Sequence, residues 1–261
     1  MGNNDTPPRE LDILEMPLEG LAAYWLSLRK LLGEKVSRKV LLRSLPEEAE
    51  RTSEPFVRHL LDICAASFED GQFLTLAGAK RDTVLRDLRL KFDLMRDALL
   101  SIAAGENPRQ LLVTMLTHFA SPPLTEAKAT QMAVDTVKAA QTAIAENKPE
   151  TAAGILGRVD HRDGADRLMV KLLFLAYWAR REGKHAIPIF VQAGGRFFRE
   201  SLSLVVDGFE PPYVKRRVEF QSGEMVEEAR LKMDMATQMA LALRRELPYE
   251  DLYRVAKSYL L

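Results

Sequence analysis

The sequence is poor in the side chains that build covalent cross-links and metal sites. It contains one cysteine, Cys64, so neither a disulfide within one chain nor a thiol-rich metal site can form. It also contains four histidines, and no two of them have the spacing of a helical metal pair. Because Cys64 lies in the apolar run 60–64, we expect it to be buried, and a lone thiol fits a reducing, cytoplasmic compartment.

Net charge and long apolar runs are missing as well. Lys and Arg together number 37, as do Asp and Glu, and this balance argues against nucleic acid and anionic membrane surfaces as partners. The longest apolar stretch, 168–178, is interrupted by Lys171 and falls short of the about 20 residues that a membrane span needs. The N-terminus lacks the apolar segment of a signal peptide. We therefore expect a soluble chain that does not span a membrane.

Alternating strand patterns are scarce, and the dominant period is helical. Apolar residues step by three and four along the helix that ends at Ala104, as in a helix packed along one side. We expect Asp82 to cap the start of that helix and Gly105 to end it. Further helices are predicted at 18–32, 37–45, 60–68, 108–119, 125–147, 150–158, 165–181, 225–246 and 249–261. The predicted fold is all-α, a helical array or bundle.

One short pattern occurs twice at a constant offset. Arg96-Asp97-Ala98-Leu99, Gly105 and Pro108 are matched by Arg199-Glu200-Ser201-Leu202, Gly208 and Pro211. Apolar residues agree at the same offset, in the pairs Leu88 and Val191, Met95 and Phe198, Leu99 and Leu202, Ile102 and Val205, and Leu111 and Val214. The pattern predicts two related helical repeats of about a hundred residues. We assign a flexible lead-in to 1–15 and the repeats to 16–120 and 121–261, which are free to pack as one domain.

Signals for catalysis or cofactor binding are weak. The polar cluster 160–166 is either a carboxylate site for a divalent cation or a turn whose Asp163 caps the next helix, and we favour the turn. The glycines in 76–80 and 192–196 lack the frame of a phosphate-binding loop. Four methionines (Met225, Met233, Met235 and Met239) form either an adaptable binding face or, as we prefer, core filling. We expect no enzyme activity, no cofactor and no metal.

Two strings within residues 179–220 carry a family resemblance. The first is Ala179-Arg180-Arg181-Glu182-Gly183, and the second runs Leu202-Ser-Leu-Val-Val-Asp-Gly-Phe-Glu-Pro211. They resemble the cytoplasmic stretch of MotA-type flagellar stator subunits, in the MotA/TolQ/ExbB proton-channel family. In that family such steps end the helix that leaves the membrane and the helix that follows it. Residues 65–112 fit the same stretch more loosely.

The resemblance implies a role in protein contacts. A basic residue near this helix end contacts the rotor in the family, and Arg180 or Arg181 matches it, whereas the acidic contact position falls near Pro188. Since the membrane helices are missing, we expect no ion transport.

The sequence therefore predicts a helical interaction module that docks a protein partner, such as a motor or rotor component. We assign this contact to charged helix ends, namely Arg180, Arg181, Glu182, Arg199 and Glu200. The alternative is a helical regulator that binds a small ligand between the repeats. A homo-oligomer is left open.

Overall fold

The computed structural model describes residues 11–33, 36–191 and 194–260. These residues form twelve α-helices, one 3₁₀ turn at Lys184–Ala186 and no strand, which confirms the all-α prediction. The α-helices are α1 (Leu18–Leu31), α2 (Arg38–Arg51), α3 (Pro55–Ala65), α4 (Asp70–Ala104), α5 (Pro108–Thr117), α6 (Glu126–Ala145), α7 (Pro149–Leu156), α8 (Ala165–Glu182), α9 (Pro188–Val191), α10 (Arg196–Val206), α11 (Pro211–Arg244) and α12 (Tyr249–Lys257).

Contacts divide the chain into two compact units. The terminal unit comprises Met1–Arg86 and Met225–Leu261, and the central unit comprises Asp87–Glu224. Both boundaries fall inside long helices, α4 and α11, whereas the boundary between the predicted repeats lies after residue 120. The duplication therefore stays a prediction. Of the predicted lead-in, residues 1–10 lie outside the described part, and Ile13 is buried.

The terminal unit has its core around α2, α3, and the C-terminal half of α11. α2 packs against α3, and α1 packs against α12. The largest side chains in this core are Trp25, Phe56 and Phe73, all fully buried. Met233, Met235 and Met239 are also buried and fill the core, as predicted, whereas the fourth methionine of that prediction, Met225, is only partly buried.

Two arginines satisfy the carbonyl end of α3. This helix stops at Ala66 in an extended conformation, without the left-handed residue that usually closes a helix. Arg38 donates from its two terminal nitrogens to the carbonyls of Cys64 and Ala65, at 3.0 Å each. The carbonyl of Ala66 accepts from Arg244 at 2.8 Å and from Arg38 as well. Without these guanidinium groups the last carbonyls of α3 would lack protein partners.

In the central unit, the most buried helix is α8. Its side chains are apolar on nearly every side, which is typical of a helix enclosed by other elements. Phe174, Trp178 and Phe190 form an aromatic cluster with ring centroids 5.0–5.7 Å apart. The Trp178 indole donates to the Ala186 carbonyl at 3.2 Å. The apolar run 168–178 is thus the core of this unit, on which the neighbouring helices α5 and α6 pack.

The two helix stops of the repeated pattern have the same hydrogen bonds. Gly105 and Gly208 adopt φ values of 69° and 81°. In both copies the glycine N–H donates three residues back, and the next N–H donates five residues back, which is a Schellman motif. The ends of α6 and α11 have the same bonds, with Asn147 and Glu246 in the glycine position. Because the motif also occurs outside the repeated pattern, this agreement does not establish a duplication.

Several predicted helix boundaries were wrong. α4 begins at Asp70, so Asp82 lies inside the helix and does not cap it; its carboxylate instead pairs with Arg81. Burial of Phe73 and Ala77 extends the helix past glycine and threonine residues that locally favour a break. α2 continues through Pro46 to Arg51. α11 is one helix from Pro211, whereas the sequence predicted a separate helix from residue 225.

Replacing glycine by alanine should have opposite effects on stability at the two helix stops and inside α4. We expect Gly105→Ala and Gly208→Ala each to lower the free energy of unfolding by about 1 kcal/mol, because a side chain disfavours positive φ. Gly78→Ala, inside α4 with open space around the new methyl group, should raise it by up to about 1 kcal/mol. Urea denaturation measures all three variants, and a common sign would contradict this account.

Glu54 gives the terminal unit a pH-dependent stability. Burial raises the pKa of its carboxyl from 4.5 to about 7, against the lowering effect of the Val57 and Phe56 N–H groups. The folded state therefore holds this proton where the unfolded chain has lost it, so ionisation between pH 4.5 and 7 favours unfolding. Glu54 also caps α3 through the Val57 N–H at 2.6 Å.

We expect Glu54→Gln to remove this pH dependence, since an amide oxygen can still accept from Val57 but does not ionise. As pH rises from 4.5 to 7, the wild type should lose up to about 3 kcal/mol of unfolding free energy relative to the variant. Above pH 7 the difference should level off. Urea denaturation across this range measures it, and a difference that is flat or of opposite slope would refute the assignment.

Candidate functional site

A surface groove lies in the central unit, where the end of α8 meets α6 and the start of α5. Its volume is about 270 Å³. Two of the three arginines that the sequence singled out, Arg180 and Arg181, line it. The full lining is Asn107, Pro108, Val134, Val137, Tyr177, Arg180 and Arg181.

Helical spacing brings the groove residues together. Arg180 and Arg181 follow Tyr177 by three and four residues, which places all three on one face of α8. The α8 residues Phe174 and Trp178 are buried in the aromatic cluster, which fixes the rotation of the helix. On α6, Val134 and Val137 are spaced by three and supply the apolar wall. The groove therefore combines an apolar surface with two guanidinium groups.

The basic side of the groove adjoins the end of α4. Arg180 Nη1 donates to the Gly105 carbonyl at 3.3 Å, and Lys184 donates to the Ala103 carbonyl. Such carbonyls carry the negative end of the helix dipole, which attracts cations. α5 begins within the groove: the Asn107 side chain accepts from the Arg109 N–H at 3.0 Å, and Pro108 follows it. This helix N-terminus adds positive potential to the groove.

Glu182 has a role different from that of the two arginines before it. Its carboxylate accepts from the Gln141 amide at 2.5 Å, which ties the end of α8 to α6. Arg181 Nε lies 3.8 Å from the same oxygen, and both side chains are substantially exposed. Glu182 does not line the groove. It therefore acts as an anchor between helices and leaves Arg181 only weakly paired.

The other two predicted site residues lie on a different helix. Arg199 and Glu200 belong to α10, and neither lines the groove. Glu200 pairs with Arg196 at 3.1 Å and accepts from the Gln221 amide at 2.8 Å, so it joins α10 to α11. The structure thus gathers Arg180 and Arg181 into one site without Arg199 or Glu200. Sequence reasoning missed Tyr177, although its spacing from the arginines was a usable signal.

The polar cluster 160–166 is held together by cations of the chain. Lys171 binds both carboxylate oxygens of Asp163, at 2.8 and 3.0 Å, and also the Arg158 carbonyl. Asp163 was predicted to cap α8, but Gly164 occupies that position and no side chain caps it. Lys171, nearly two turns into α8, pairs with the Asp163 carboxylate instead. Within the described ranges no group of three His, Cys, Asp or Glu side chains is arranged for a metal ion.

The lone cysteine is buried, as predicted. Cys64 is 1% exposed, and burial raises the pKa of its thiol to about 12. A protonated, enclosed thiol is a poor nucleophile.

Across the part of the chain that the structure describes, no helix has the length and apolarity needed to cross a membrane.

Comparisons with family models, with curated proteins and with solved structures each found no match to this chain. The likeness to stator subunits therefore rests on the two sequence strings alone.

Proposed function

We propose that this chain is a helical protein–protein interaction module that binds an acidic segment of its partner in the groove of α5, α6 and α8. The observation that carries the proposal is the pair of weakly engaged arginines, Arg180 and Arg181, beside an apolar wall. Arginine forks bind carboxylates with two parallel hydrogen bonds, and arginine and tyrosine are frequent anchors of interfaces.

The availability of these arginines is clear from comparison with other cations of the same unit. Lys171 and Lys91 have carboxylate oxygens at 2.8 and 2.7 Å and carbonyl oxygens as well. Arg180, in contrast, has one long bond to a carbonyl and no ion pair among the described residues. Arg181 has only an exposed carboxylate at 3.8 Å. An incoming carboxylate would therefore displace little at either arginine.

The chemistry of the groove also defines the partner. The two guanidinium groups and the α5 N-terminus favour carboxylates, while Val134, Val137 and Tyr177 favour an apolar or aromatic side chain beside them. The resemblance to stator subunits makes a cytoplasmic motor or rotor component the candidate partner. In this proposal the chain transports no ions and catalyses no reaction.

A small anionic ligand is the second candidate occupant. The groove volume of about 270 Å³ is close to the lower limit of small-molecule pockets. Its lining also comes from both predicted repeats: Asn107 and Pro108 precede residue 120, and the others follow it. This placement matches the alternative of a ligand bound between the repeats.

Reversing both charges tests the proposal. We expect Arg180→Glu/Arg181→Glu to weaken partner binding at least about tenfold, because attraction to carboxylates becomes repulsion. Helicity and unfolding free energy should stay within about 0.5 kcal/mol of the wild type, since both side chains are exposed. Pull-down with the immobilised chain, followed by affinity measurement on the purified partner, gives the readout.

The matched control is Lys39→Glu/Arg43→Glu, which makes the same charge change on exposed positions of α2. Retention of the same partner by all three proteins would refute the proposal. The small-ligand candidate has its own probes, citrate and inorganic phosphate. If a small anion is the occupant, citrate or phosphate should raise the melting temperature of the wild type and of Lys39→Glu/Arg43→Glu. Neither should raise that of Arg180→Glu/Arg181→Glu.

A further inference from the structure

Aromatic side chains are exposed along the N-terminal half of α11 and in the turn before it. Phe220 is 65% exposed, and Phe209 and Tyr213 are 44% and 43% exposed. The rings of Phe209 and Tyr213 stack with centroids 5.0 Å apart. Together with Arg217 and Glu224 these residues form what we call the α11 stripe. It shares no residue with the groove.

Helical spacing puts the stripe on one outward face. Its members on α11, Tyr213, Arg217, Phe220 and Glu224, are separated by four, three and four residues. The opposite face carries Val214 and Val218, both fully buried in the central unit. The orientation of α11 is therefore fixed by its core, and the stripe faces away from that core.

Opposite charges bracket Phe220 along the stripe. Arg217 lies one turn before it and Glu224 one turn after it, and both are exposed. They are about 10 Å apart along the helix axis, too far to pair with each other. Among the residues that the structure describes, neither forms an ion pair with any other side chain. Around Phe220 the stripe thus has a basic residue on one side and an acidic residue on the other, and the Phe209–Tyr213 pair lies beyond the basic residue.

This order of charges is self-complementary when the helix direction is reversed. We propose that a second copy of the chain docks on the α11 stripe in antiparallel orientation, around a two-fold axis beside Phe220. Arg217 then faces Glu224 of the partner subunit, and the symmetry repeats this pair. The two Phe220 side chains meet at the centre. A parallel alignment would instead oppose like charges, which disfavours binding.

The size of the stripe sets the strength of this dimer. From Tyr213 to Glu224 it extends about 16 Å along the helix axis. One helix pair of this length buries less than the roughly 800 Å² per partner that is typical of stable complexes. We therefore expect a dimer that dissociates on dilution. If the occupant were a different protein, the charges would not need to lie symmetrically about Phe220. Their symmetry therefore favours a second copy.

Sedimentation velocity of the full chain over a concentration series measures the monomer–dimer equilibrium. We expect Phe220→Ala to weaken the dimer about a hundredfold, because both central rings are lost. Leu42→Ala, which truncates a half-exposed apolar residue on α2, should leave the equilibrium unchanged. A chain that stays monomeric at every concentration overturns the proposal, as does a dimer that Phe220→Ala leaves intact.

Charge exchange tests the antiparallel arrangement. Arg217→Glu and Glu224→Arg should each weaken the dimer about tenfold, since each creates two like-charge contacts. The double variant restores both pairs without changing the net charge, and its affinity should return to within about threefold of the wild type. Failure of this rescue overturns the proposed pairing. The wild-type chain could instead remain monomeric and bind a different protein that Phe220→Ala no longer binds. That result would overturn the assignment of a second copy as the occupant.

Discussion

The structure depends on how the carbonyl ends of its helices are satisfied. Every α-helix leaves up to four carbonyls without internal partners, and burying them unpaired is costly. Four helices, α4, α6, α10 and α11, end in Schellman motifs that pair some of these groups through the backbone. α3 instead ends in extended backbone, and Arg38 and Arg244 bind its terminal carbonyls. At the end of α3, basic side chains thus do what left-handed residues do at the ends of the other four helices.

The same constraint explains the character of the candidate site. The end of α4 attracts Arg180 and Lys184, which donate to the carbonyls of Gly105 and Ala103. α5 starts three residues later, so a positive helix N-terminus lies close to these cations. Arg180 is held only by a long bond, and Arg181 by an exposed carboxylate. The proposed binding of an acidic partner rests on this difference: the carbonyls at these helix ends have donors, whereas Arg180 and Arg181 are only weakly paired.

Local chemistry predicted the two glycine helix stops well, but several other helix boundaries and the longer-range arrangement poorly. The stops at Gly105 and Gly208 were predictable because φ preference and the following proline are local properties. The true start of α4 was not, since burial of Phe73 overrides nearby helix-breaking signals. Asp163 was wrongly assigned as a cap. Its actual partner, Lys171, is brought to it only by the fold, so the local sequence did not indicate the pair.

The groove itself has the same mixed origin. Arg180 and Arg181 were identified from the resemblance to stator subunits, and helical spacing alone would have added Tyr177. Val134 and Val137 were out of reach, because they come from another helix and join the site only through packing of α6 on α8. Sequence reasoning therefore found the charges of the site and missed its apolar wall.

The most direct test of the role of basic side chains compares two adjacent arginines. Arg244 and Arg245 both pair with Asp70, but only Arg244 also donates to the end of α3. We expect Arg244→Met to lower the free energy of unfolding by about 1–2 kcal/mol, because the carbonyl end of α3 loses one of its two guanidinium donors and only Arg38 remains there. Arg245→Met should change it by no more than about 0.5 kcal/mol. Equal losses in urea denaturation would contradict the account.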